Sequence, residues 1–219
     1  MKLPLFLNAG NKHRVGWLWA LILGALYMSA NHQTFFEPYV LQMTWIDQNV
    51  PFLPWTFWIY ASLYVLYAVV YLVSRDMKNT NQYLYAILAL QTVSVIIFWV
   101  WPTTFPRGDY PIPEDTNAFL RWVFENFRKI DTPKNCAPSL HVSSCYLSSF
   151  VFLQERRRLF PFFFIWATAV AFTTLTTKQH YVIDIILAIP LAIGCWWFFH
   201  HKVKYKKTAY FDATWPRKR

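Results

Sequence analysis

Glycine is scarce in this chain, five residues in 219, and none of them builds a phosphate-cradling loop. That excludes the Walker-type site, which needs glycines where the backbone wraps an anion. There is no Gly-x-Ser-x-Gly either, so the strained serine turn of many hydrolases is missing. The three cysteines, Cys136, Cys145 and Cys195, lack metal-ligand spacing. Cys145 and Cys195 lie in apolar runs and read as inert buried thiols; Cys136 is a candidate reactive thiol. Acidic residues are few, 11 against 21 Lys and Arg, for a net charge of +10. No internal repeat and no low-complexity tract occurs.

Apolar residues are what the chain has: 56% hydrophobic and 21% aromatic, with 15% charged. Long apolar runs in that composition predict an integral membrane protein. We expect an all-α, polytopic fold, a six-transmembrane-helix bundle with spans at 15–30, 52–73, 83–101, 139–153, 160–177 and 181–199. The first run lacks the flanks of a cleaved leader and is expected to be a retained span. Ser143, Ser144, Ser148 and Ser149 make the fourth span suited to packing against helices rather than lipid. The polar 31–51 stretch reads as an interfacial segment, and the 102–138 loop as a partly helical lid with an amphipathic piece at 117–129. Residues 1–207 form one membrane-embedded domain, and 208–219 a flexible tail.

Basic residues predict orientation. Lys2, Lys12 and Arg14 precede the first span, Arg75 and Lys78 follow the second, Arg156–Arg158 join the fourth to the fifth, and Lys202–Lys207 follow the sixth. All share one side in a six-span layout, which the positive-inside rule makes cytoplasmic together with both termini. The juxtamembrane position of these charges points to anionic lipid headgroups rather than nucleic acid.

Two short motifs then fall at the outer surface. Pro138-Ser139-Leu140-His141 opens the fourth span; Ser139 can cap its helix, and the free amides of a helix start suit phosphate. His180-Tyr181-Val182-Ile183-Asp184 opens the sixth, and the spacing of four puts His180 and Asp184 on one helix face. A carboxylate on one imidazole nitrogen leaves the other free as a nucleophile. Together the motifs divide a phosphoryl transfer: His180 attacks, His141 protonates the leaving oxygen, and cations hold the equatorial oxygens. Candidate cations are Lys178, two residues from His180, then Arg107 and Lys134, then Arg128 and Lys129. A two-histidine, one-carboxylate iron site on His141, His180 and Asp184 is the metal alternative. The cationic surroundings favour an anion instead, so no metal and no cofactor is expected.

With these residues in place, the chain resembles the type 2 phosphatidic acid phosphatase superfamily over most of its membrane core. Pro138, Ser139 and His141 match its Pro-Ser-x-His signature, and His180 and Asp184 the end of its third signature. The resemblance implies His180 as nucleophile, Asp184 as its support and His141 as acid/base. The family's Lys-x6-Arg-Pro signature has no counterpart, with Arg107 a partial stand-in, and Thr173 and Thr174 stand where its Ser-Arg pair belongs. His-Tyr-x-x-Asp and 102–107 look similar to the inositol phosphorylceramide synthase and sphingomyelin synthase branch. The resemblance implies a membrane enzyme hydrolysing a lipid phosphate monoester or pyrophosphate at the outer leaflet through a phosphohistidine. The alternatives are transfer of a phospho-headgroup to a lipid alcohol, and a non-catalytic transporter or scaffold.

Overall fold

The computed structural model describes residues 2–32, 35–209 and 211. Its helices are α1 (Lys12–Asn31), α2 (Trp45–Asn49), α3 (Phe57–Ala61), α4 (Leu63–Val73), α5 (Met77–Val100), α6 (Ala118–Ile130), α7 (Leu140–Glu155), α8 (Phe160–Thr176) and α9 (Val182–Trp197). Helix lies over all six expected spans. Among the described residues, three helical stretches are long and apolar enough to cross a membrane: Pro54–Val73, Met77–Val100 and Val182–Lys202. The others fall short for local reasons. α1 begins with Lys12, His13 and Arg14, α7 is broken up by serine, and α8, though apolar, has 17 residues.

Helices in lipid gain little from burying apolar surface and instead need close van der Waals packing, which small residues permit. Three helices carry such a stripe at a spacing of four: Ser144 and Ser148 on α7, Ala167 and Ala171 on α8, Ala188 and Ala192 on α9, all buried. α7 is the hub, packed against α4, α5, α8 and α9. All four of its serines are buried, and Ser148 and Ser149 return their hydroxyls to backbone carbonyls of their own helix. Phe152 of α7 stacks on Phe163 of α8 with ring centroids 4.3 Å apart.

α5 begins six residues before the apolar run does, because Asp76 caps it through the amides of Lys78 and Asn79. Its polar first turns are buried and hydrogen-bonded; Asn79 donates to the Val151 carbonyl and Asn81 to that of Met77. The amphipathic piece is α6, capped by Asn117. Its apolar face docks on α3, where Phe124 stacks on Phe57 at 4.5 Å.

Two short parallel strand pairs depart from an all-α expectation. β1 (Leu3–Leu5) pairs with a strand after α9, Tyr205–Lys207, while Tyr39–Val40 pairs with Thr103–Thr104. Segments outside the helices have unpaired backbone groups, and these pairings satisfy them. The first pairing also brings the beginning of the chain to the end of α9. Of the expected tail at 208–219, only 208, 209 and 211 are among the described residues.

Candidate active site

Two helix starts make the site. Ser139 sits in extended backbone before α7, its hydroxyl accepting from the Val142 amide at 3.3 Å. That cap fixes the first turn, which carries His141. Opposite, the turn after α8 places Lys178 in the left-handed region, φ 54°, and delivers His180 and Tyr181 to the start of α9. The Ser139 amide donates to the Asp184 carbonyl at 3.1 Å, tying the two starts together.

Asp184 lies one turn into α9 and reaches back. Its Oδ2 accepts from the Tyr181 amide at 2.9 Å and lies 3.1 Å from His180 Nδ1. His180 Nε2 is 3.2 Å from His141 Nδ1, and His141 Nε2 is 3.2 Å from the Tyr60 hydroxyl. His180, Asp184 and Tyr60 are all buried. The tautomers follow from the network. A carboxylate only accepts, so His180 carries its proton on Nδ1 and presents an Nε2 lone pair. His141 then donates from Nδ1 to that lone pair and accepts from Tyr60 on Nε2. The chain Tyr60–His141–His180–Asp184 is one directional line of hydrogen bonds.

A second buried group flanks this line. Asp131, just past α6, accepts from the Tyr27 hydroxyl and pairs with Arg107, Nη2 to Oδ2, at 3.0 Å. The other Arg107 terminal nitrogen donates to the Asp131 carbonyl, and its Nε is buried with no partner. The Tyr27 ring stands edge-on to His141 at 6.2 Å. Burial pushes the Asp131 carboxyl up. The Arg107 guanidinium, the neighbouring His141 and the Tyr27 hydroxyl together outweigh burial and hold it below the usual carboxylate range. A carboxyl lowered on folding adds stability above its unfolded pKa of about 3.9, and that stability is lost as pH falls through the folded value. We therefore expect the melting temperature to drop as pH is lowered past about 4, with a smaller drop in Asp131→Asn. At pH 7 that variant, by leaving Arg107 buried beside a neutral group, should lose about 3 kcal/mol in denaturant unfolding.

The other predicted cations are held elsewhere. Lys178 Nζ donates to the carbonyls of Asp47 and Val50 at 2.9 and 2.7 Å and lies over the Tyr110 ring. Asp47 in turn accepts from the Val182 amide at 2.8 Å, so the 44–50 segment caps α9. Arg128 donates to the carbonyls of Tyr110 and Thr177 and packs on Phe52 and Phe124. Lys134 is half-buried and Lys129 exposed. The Ser139 hydroxyl is engaged as the α7 cap.

Of the metal trio, His141 faces His180 directly. Among the described residues the group able to hold an ion is instead Cys136, His180 and Asp184, whose donor atoms lie within 4.8 Å of one another. Burial pushes the Cys136 thiol well above its ordinary range, so it stays protonated rather than a ready nucleophile. Sequence reasoning missed Tyr60, Tyr27, Asp131 and Asp47. Only Asp131 had a signal, an acid set between two of the candidate-cation positions, Arg128-Lys129 and Lys134.

Tyr60 stands to His141 as Asp184 stands to His180, with one difference. A hydroxyl both donates and accepts, so it can follow His141 through either protonation state. Tyr60→Phe should lower kcat by about tenfold with little change in KM, by the scale of such orienting partners. It should also shift the limb of the pH–rate profile that belongs to His141; an unmoved profile would assign Tyr60 to packing alone.

A family model described as the PAP2 superfamily matches residues 24–198. No curated protein matches the chain.

Proposed function

As this chain belongs to the PAP2 superfamily, whose members are phosphatase- or phosphotransferase-type lipid enzymes, we propose that it hydrolyses a lipid phosphate monoester or pyrophosphate. The reaction passes through a phosphohistidine. The observation that carries this reading is the 3.2 Å approach of His141 Nδ1 to His180 Nε2, with Asp184 behind the second ring.

An in-line displacement needs phosphorus and the departing oxygen between nucleophile and acid. Substrate entry therefore replaces the bond between the two rings. His180 Nε2 attacks phosphorus, and Asp184 stabilises the cationic ring that forms. When His141 gains a proton on Nε2, Tyr60 turns from donor to acceptor there, and the protonated ring then gives its Nδ1 proton to the leaving lipid oxygen. His141 then takes a proton from water, which attacks the phosphohistidine and frees His180. Arg107 supplies charge for the phosphoryl oxygens, with its unpartnered Nε as donor. Lys178 supports the site at one remove, by fixing the segment that caps α9. Lys134 remains a candidate phosphate contact, and Ser139 acts through the helix start it caps.

The reading includes six crossings with the site at the outer surface and both termini in the cytoplasm. Two polar rims support it. At one end Lys12 bonds the Ser74 carbonyl and Glu155 accepts from Ser74, beside most of the basic residues. At the other end lie Asn31, Asp131, His141 and His180. The strand pair joining Leu3–Leu5 to Tyr205–Lys207 supports termini on one side.

The purified protein should release phosphate from a panel of lipid phosphates, with full rate in the presence of chelator. Loss of the activity on chelation would instead favour an ion on Cys136, His180 and Asp184. A lipid alcohol added as acceptor separates hydrolysis from the phosphotransferase reading, since transfer yields a new phospholipid. A protein inert towards every lipid phosphate, with or without acceptor, would overturn both.

A further inference from the structure

A cavity of about 670 Å³ runs between α1, α4, α5 and α7, and His141 lines one end of it. α1 supplies one wall from His13 to Tyr27, which at 1.5 Å per residue is a length of roughly 20 Å. Tyr27 stands at the His141 end, and His13 lies at the basic end of the helix. One leaflet of a bilayer provides only about half of a ~30 Å hydrocarbon core. With His141 at one membrane surface, as in the proposed topology, the cavity would extend past the membrane midplane.

Its lining is apolar by arrangement as well as by composition. The polar ends of its larger side chains are turned into the bundle. The Tyr67 hydroxyl donates to the His141 carbonyl and that of Tyr71 to the Lys12 carbonyl. The Tyr83 hydroxyl meets Ser148, and Gln91 bonds the Leu23 carbonyl. Rings and methylenes are left to face the space. The rim residues Trp17, Tyr64 and Leu72 are all more than half exposed, so the cavity opens sideways between α1 and α4. The two glycines of α1 differ. A Cβ at Gly16 would come within 2.5 Å of the Tyr71 ring, so this glycine lets the wall close up. A Cβ at Gly24 would meet nothing within 4 Å, so this glycine leaves the space open.

We infer that this cavity seats one hydrocarbon chain of the substrate, entering sideways from the bilayer with its phosphate at His141. This rests on the reading of His141 and His180 as a lipid-phosphate site. The occupant is a chain longer than one leaflet is deep, because only such a chain fills the space to its far end. Transfer of an apolar chain from lipid to this slot gains little in itself, since both are apolar. The gain is in orientation, because a held chain fixes the phosphate in line with His180. Gly24 is then a specificity-determining position: it lies three residues from Tyr27 along α1, so a side chain there blocks the slot about 5 Å from its His141 end and cuts off the length beyond.

Two measurements on the full-length protein test this. The first labels His180→Ala with a long-chain alkyl monophosphate bearing a diazirine at its far end. Adducts are expected at His13, Trp17 or Leu72. Adducts confined to outward positions of α8 such as Phe162 and Ile165, or none at all, would overturn the proposal. The second compares, as substrates, long-chain alkyl phosphates with alkyl phosphates too short to pass Gly24. Gly24→Phe should lower the ratio of their kcat/KM values, long over short, by tenfold or more; an unchanged ratio places the tail in the surrounding lipid. Absence of phosphate release from every substrate would sink the phosphatase reading, while the labelling pattern still decides where the chain lies.

Discussion

Replacing His180 with alanine is expected to abolish phosphate release, by about 10⁴-fold or more, since loss of a nucleophile removes the covalent route. The geometry makes this sharper than a general loss of activity. Nδ1 of this ring is committed to Asp184, so attack must come from Nε2, the atom that faces His141. The fold should tolerate the change, because Asp184 keeps its bond from the Tyr181 amide and the α9 start stays capped. Brief quenching of the wild-type enzyme with a ³²P-labelled lipid phosphate should trap a label that is lost in acid and kept in alkali, as expected of a phosphoramidate. The alanine variant should show neither label nor turnover. Retained turnover in a correctly folded His180→Ala protein would remove the phosphohistidine from the account.

The second large effect belongs to His141, and it differs in kind. Replacement by alanine should lower steady-state turnover of an alkyl phosphate by about 10³-fold, the middle of the range for a lost acid/base. The two chemical steps should then come apart. A substrate with a good leaving group, such as an aryl phosphate, needs no proton on its departing oxygen, so the first step should survive. The second still lacks the group that activates water. The variant should release one equivalent of phenol in a burst and accumulate the labelled protein that His180→Ala never forms. Equal losses on alkyl and aryl substrates, without a burst, would deny His141 the acid role.

Much of the geometry of the candidate site was legible because it is local. His180 and Asp184 meet through helical periodicity, and Ser139 caps the helix that carries His141; such contacts are written within a few residues. Their meeting across the bundle was inferred from membrane sidedness, which apolar runs and basic clusters encode. The sequence reading put Lys178 nearest the phosphate because it stands two residues from His180. That spacing cannot reveal a left-handed turn that delivers the ammonium to the carbonyls of Asp47 and Val50. Arg107 and Asp131 lie 24 residues apart in a loop rich in proline, where no period predicts who pairs with whom. Tyr60 had no signal, as one of 13 tyrosines, and only the docking of α3 beside α7 distinguishes it. The fourth expected span carries a physical ambiguity. A serine-rich helix of 16 residues at the hub of a bundle is too polar for lipid but well suited to other helices.

The hydrogen bond between the two imidazoles also bears on what happens after the reaction. Free phosphate leaving the pocket competes with the rings for each other's nitrogens, and a net hydrogen bond of about 1 kcal/mol would weaken its retention roughly fivefold. On the proposed reaction, a resting centre that closes on itself would help to expel its own product, and inhibition by inorganic phosphate should be correspondingly shallow.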